Sequence, residues 1–262
     1  MAAKGRTIAT FGPRLWGIGV FGIGVLSLTS GTFNPAQPVP DDLPARTVLA
    51  YGAAVLMAFA GAAVEWRRTM AWGSAALTAY FAFVVVVMMY GHVLLDHYAE
   101  FSTYEGLAVQ LAIALGGLIV FVESANLDAA LATRLKKLAR LTFGVCLLVF
   151  GAAHFEYLNP TAALVPKWIL PSQQFWAAAT GLFHIAAGLA LLTGVQARHA
   201  AISLTIMFAL FTPLVHAPML LADPSSYWIW SENATNIALT GVAWIVADSF
   251  DFKLGENTRY HR

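Results

Sequence analysis

The sequence predicts an all-α integral membrane protein with eight transmembrane helices, arranged as two parallel four-helix repeats with both termini in the cytoplasm. Three observations predict it: too few charges to coat a globule, eight apolar stretches of spanning length, and a one-sided distribution of Lys and Arg. Only 11% of the 262 residues are charged and 59% are hydrophobic, where a soluble domain carries about 25% charged residues. Most of the surface must therefore face lipid, and membrane lipids are the first expected partner. A net charge of +1 gives no reason to expect nucleic acid. Cys146 is the single cysteine, which excludes an intrachain disulfide and CxxC chemistry. Met1 precedes the first apolar stretch, which is expected to be retained rather than removed as a signal peptide.

A spanning helix needs about 20 mostly apolar residues. The stretches near 11–30, 46–65, 71–95, 105–124, 138–157, 175–194, 199–222 and 231–249 qualify. They are rich in Ala, Leu and Gly, whereas barrel strands would be about half as long and would alternate. One set of connections holds Lys4, Arg6, Arg14, Arg67, Arg68, Arg134, Lys136, Lys137, Arg140, Arg198, Lys253, Arg259 and Arg262; the other holds only Arg46 and Lys167. The positive-inside rule makes the first set cytoplasmic. The outer set instead carries Asp41, Asp42, Asp96, Glu100, Glu105, Glu156, Asp223 and Glu232.

Two related halves are expected, at 1–125 and 140–250, joined by a basic cytoplasmic linker at 126–139 and followed by a cytoplasmic tail at 251–262. Arg14-Leu15 matches Arg140-Leu141. Val39-Pro40 and Leu43-Pro44 match Val165-Pro166 and Leu170-Pro171. Gly52 matches Gly181, His92 falls near His216, and Glu105 near Glu232. Each match is weak, but all keep a common order. An even number of helices per half puts both halves the same way up, related by a pseudo-twofold axis along the membrane normal.

Polar chemistry collects in the outer half. His92, His97, His154, His184 and His216 fall there, while His199 and His261 are cytoplasmic. Ionisable groups at membrane depth face a cavity or a partner. Interfacial polarity suffices for His97, whereas His184 and His216 lie deeper. Trp176, Thr180, His184 and Gly188 recur every four residues and share one helix face. That face is open to two readings: a packing stripe with His184 satisfied by a carbonyl, or a ligand-facing imidazole. His216 stands between Pro213 and Pro218, and each proline removes a backbone donor. The carbonyls so freed need partners inside protein, so an irregular, cavity-lining turn is expected there, with a simple packing kink as the alternative. Glu232, Asn236 and Thr240 share a face of the last helix, although Glu232 also suits a helix N-terminus. His92 and Asp96 sit one turn apart, but zinc needs three or four ligands and no metal is expected. The apolar segment from Asn159 to Pro171 reads as an interfacial lid. Trp168 is assigned to that lid, and Trp228 to an aromatic belt.

Residues 140–249 resemble the DoxX family of small four-helix bacterial membrane proteins. The resemblance rests on Phe150-Gly151, His154-Phe155, Leu164, Pro166, Trp168, Pro171, Phe175-Trp176, Thr180-Gly181, His184, Gly188, Leu192, Gly194, Leu214, His216 and Pro218. The first half looks like a diverged copy with no counterpart to His154 or His184. The resemblance implies a bacterial inner-membrane location, a four-helix bundle per half and an association with oxidoreductase chemistry. Some family members look like membrane subunits of quinone-reducing thiosulfate dehydrogenases, and others are tied to thiol and oxidative stress. Without accompanying cysteines, a thiol role would need a partner protein.

The leading expectation is a membrane component of a respiratory or redox system. It would handle a quinone or similar lipophilic ligand in an outer-leaflet cavity formed by His154, His184, His216, Asn236, Glu232, Trp168 and Trp176. His184 and His216 would bond a quinone carbonyl, and Glu232 or Glu156 would exchange protons with the outer aqueous side. No intrinsic cofactor is expected. Two rivals stand beside it: a non-redox membrane enzyme or carrier for a small lipophilic molecule, and a structural subunit of a larger membrane complex.

Overall fold

The computed structural model describes residues 11–250. Lys4, Arg6, Lys253, Arg259, Arg262, His261 and the 251–262 tail lie outside the described residues. Within them the chain is all helix and loop. The helices are α1 (Phe11–Ser30), α2 (Arg46–Val64), α3 (Met70–Asp96), α4 (Phe101–Ser124), α5 (Ala129–Glu156), the short α6 (Leu158–Leu164), α7 (Gln173–Thr193), α8 (Ala197–Ala222) and α9 (Tyr227–Asp248). Asp128 caps α5 by accepting from the Ala130 and Leu131 amides, and Ser172 caps α7 by accepting from that of Phe175.

The protein is a multi-pass membrane protein. Seven of the described helices, all but α6 and α9, are long and apolar enough to cross a membrane. The last predicted span is also a helix, α9, but Ser231, Glu232, Asn233, Thr235, Asn236 and Thr240 make it more polar. The reason is its position, for most of its residues are buried within the protein. A helix shielded from lipid needs no apolar surface of its own.

The long helices form a ring in which each packs on its neighbours in the chain, and α9 closes back on α1. α4 and α9 also touch across the middle. The most extensive interface is α1 against α9, and α4 packs on α5, so residues 11–124 and 129–248 interlock rather than form two separate bundles. Trp16 Nε1 donates to the Ile113 carbonyl at 3.1 Å, fixing α1 on α4.

Glycine sets the closest approaches. A Cβ on Gly188 would lie 2.7 Å from the Gly144 carbonyl, and one on Gly151 2.8 Å from that of Gly181. α5 and α7 therefore meet backbone to backbone, as small residues allow in lipid. A Cβ on Gly52, matched with Gly181 on sequence, would meet nothing within 4 Å; in α2 the tight position is Gly61, where a Cβ would lie 2.8 Å from the Phe21 amide. Both α3 and α8 widen into π-helix, over Tyr80–Tyr90 and Thr212–His216. The second carries Pro213 at its start. The first has no proline and is centred on Val84–Val87.

Candidate functional site

Five of the seven residues singled out from the sequence line one cavity of about 480 Å³: His154, His184, His216, Glu232 and Asn236. It sits at the end of the bundle that carries the 31–45 and 157–172 connections. α5 brings His154 in its last turn, α7 brings His184 halfway along, and the wide turn of α8 ends on His216. Gly181 allows the first two to meet, since a Cβ there would lie 2.8 Å from the His154 Cβ. The two imidazole centroids are 4.9 Å apart. His184 is only 1% exposed, edge-on to Phe150 at 6.0 Å and tilted against Phe208 at 5.6 Å.

Each of these rings is held by its own helix. His154 Nδ1 donates to the Phe150 carbonyl at 2.8 Å, and His184 Nδ1 donates to the Thr180 carbonyl at 2.9 Å. A carbonyl carries no proton, so the N–H is on Nδ1 in both, and each neutral ring keeps a bare Nε2 lone pair. His184 is thus satisfied by a carbonyl, as the packing reading expected, and it also lines the cavity. The Nδ1 of His216 is buried with no partner among the described residues.

Asn236 holds the turn of α8 that carries the proline. In a regular helix the Phe208 carbonyl accepts from the Thr212 amide, four residues on, where the wide turn begins. Asn236 Nδ2 donates to that carbonyl at 3.1 Å and to Thr212 Oγ1 at 3.0 Å. The side chain thereby ties α9 to the turn that presents His216.

The structure redraws the rest of the site. The cavity is not confined to the second half, because Tyr90, Glu105, Gly106 and Val109 line it, with Pro35, Ala36 and Pro38 from the 31–45 loop. Glu105, matched with Glu232 on sequence but not assigned to the site, lies within electrostatic reach of Glu232 and of the Tyr90 phenol. The repeat was the signal that could have found it. Glu156 is exposed and lines no described cavity. His92 is likewise exposed, 3.8 Å from Asp96, in an environment unlike that of His216. Among the described residues no three or more His, Cys, Asp and Glu side chains are placed to hold one metal ion.

The Val165–Pro171 segment does not roof this cavity. Val165, Pro166 and Ile169 instead line a second one of about 290 Å³, with Trp176, Thr180 and apolar side chains of α8. Trp176 belongs to this second cavity, where its Nε1 donates to the Leu170 carbonyl at 2.8 Å and holds the loop down. Trp168 lines neither cavity and is 75% exposed, because the loop lies with that ring outward. His154, Phe211 and His216 line both cavities and form the wall between them.

No curated protein and no solved structure matches the chain. Residues 135–217, which span the three histidines from α5 to the wide turn of α8, match the DoxX family.

Proposed function

We propose that the chain is a membrane component of a respiratory or redox system that takes a quinone or similar lipophilic ligand into the histidine cavity. The observation that carries this reading is the convergence of His154, His184 and His216 on one cavity that adjoins an apolar one. Polar groups withdrawn from water in a membrane must bond each other or a ligand. Here His154 and His184 bond only their own helices, and the His216 Nδ1 is buried with no partner among the described residues. Glu105 and Glu232, at the end of the cavity nearest the loops, would exchange protons with the aqueous phase.

On this reading α9 is the eighth span, both termini are cytoplasmic, and the protein resides in a bacterial cytoplasmic membrane. The halves 1–125 and 140–250 are parallel repeats. A common offset of 127 supports the duplication, pairing Gly17 with Gly144, Gly24 with Gly151, Met57 with His184, Gly61 with Gly188, Phe81 with Phe208 and Glu105 with Glu232. The neighbours exchange in the same way: α1 packs on α2 and α9, as α5 packs on α7 and α4.

The test is to purify the protein in mild detergent, extract it and identify what co-purifies by mass spectrometry. A quinone retained by the wild type and lost from folded, inserted His184→Phe and His216→Phe is the expected result. A sterol or phospholipid in its place would favour the non-redox enzyme or carrier. Retention unchanged by both substitutions would refute the site and favour a structural subunit.

A further inference from the structure

The protonation pattern of the site says which form of such a ligand it fits. This step rests on the lipophilic-ligand reading above. We infer that the site takes an amphiphile whose polar end donates hydrogen bonds, the dihydroxy form of an aromatic ring rather than its dione, with an apolar tail in the second cavity.

At the deep end of the cavity the protein offers acceptors. His154 and His184 have spent their N–H groups on Phe150 and Thr180, and each presents a lone pair at Nε2. Asn236 is 5% exposed and has spent both amide hydrogens, on Phe208 and Thr212, which leaves only its carbonyl oxygen. The amide orientation is forced, because a main-chain carbonyl must receive a donor. Glu105 and Glu232 each add a carboxyl group, which accepts at one oxygen in either protonation state and donates from the other only when protonated, and the Tyr90 hydroxyl already donates to the Ala36 carbonyl at 2.9 Å. The remaining lining donors are few. Ser102 and Trp228 are exposed residues at the starts of their helices, the Thr235 hydroxyl can turn either way, and a neutral His216 has one N–H.

A dione brings only acceptors, so its oxygens would face lone pairs at His154, His184 and Asn236. A ring bearing hydroxyls donates to the same atoms. A site built around one hydrogen-bond polarity rejects the analogue that lacks it far more strongly than it senses a methylene. The tail has its own place. The second cavity is walled by Leu164, Ile169, Met207, Leu210, Leu214 and Val215, and it meets the first at His154, Phe211 and His216. Leu164, Trp176 and Leu210 are also exposed, so the second cavity opens on the lipid-facing surface of the bundle.

Three probes separate these claims on the intact protein in nanodiscs: a decyl-substituted benzohydroquinone kept anaerobic, the matching benzoquinone, and the hydroquinone dimethyl ether, which accepts but cannot donate. Equilibrium dialysis reads affinity without any turnover. The hydroquinone is expected to bind at least about tenfold more tightly than either competitor, and folded His184→Phe should shrink that preference. Equal binding of the hydroquinone and its dimethyl ether, or tighter binding of the benzoquinone, overturns this inference and leaves the lipophilic-ligand reading standing. Failure of all three to bind overturns both.

Discussion

Asn236→Leu tests the link between α9 and the wide turn of α8. Leucine keeps the branched four-atom shape, with bulkier ends, and removes the amide, so the Phe208 carbonyl and the Thr212 hydroxyl each lose a partner. Interhelical hydrogen bonds in membranes are worth about 0.6 kcal/mol on average and up to about 1.7. Two bonds give an expected loss of about 1–3 kcal/mol. The ordinary helical donor to the Phe208 carbonyl is the Thr212 amide, which stands where the proline-bearing turn widens. Pro213→Ala lets that turn close as regular helix. In the Pro213→Ala background the Asn236→Leu cost should therefore fall by about one hydrogen bond, roughly 0.5–1.5 kcal/mol. Reversible unfolding in mixed detergent micelles measures all four corners of the cycle. Equal costs in both backgrounds would show that Asn236 does not stand in for a helical donor displaced by the proline.

Gly188→Ala should cost about 1–3 kcal/mol by the same assay, because the new methyl meets the Gly144 main-chain carbonyl at 2.7 Å and the helices must part. Leu182→Ala, on a side chain 60% exposed to lipid, should stay within about 0.5 kcal/mol, and a cost as large as that of Gly188→Ala would contradict the packing account. A reporter fused after Arg262 should read cytoplasmic and one inserted at Asp42 external; the opposite result at either place refutes the charge-bias argument.

The helices were legible because each apolar run is long, and lipid admits little else than helix. The convergence of His154, His184 and His216 was also within reach, because residues of those types at those depths have few other solutions. The cavity's second wall was not. Glu105 and Tyr90 reach it only because α4 and α9 cross the middle of the bundle, a long-range arrangement that no local pattern encodes. Trp168 misled for a related reason. An aromatic in an apolar loop can point inward or outward with the same sequence signature, and here it points outward. The wide turn at Tyr80–Tyr90 carries no proline to announce it.

Both described cavities lie beside the histidines of the second half. On the repeat reading, Met57 occupies the position of His184 and Ser27 that of His154. The space beside them is filled from the 31–45 loop, which turns Phe33, Asn34 and Gln37 inward to full burial. Gln37 Nε2 reaches Met57 Sδ at 3.9 Å, and its Oε1 accepts from the Tyr80 hydroxyl at 3.1 Å. The corresponding 157–172 segment keeps Trp168 and Leu170 exposed and inserts no such plug. The same loop offers Pro35, Ala36 and Pro38 as part of the wall for the other side's cavity. The 135–217 segment holds the three histidines, yet both carboxylates, Glu105 and Glu232, come from outside it. Of the two, Glu232 belongs to the same half as the histidines, and Glu105 joins them only when the two halves interlock.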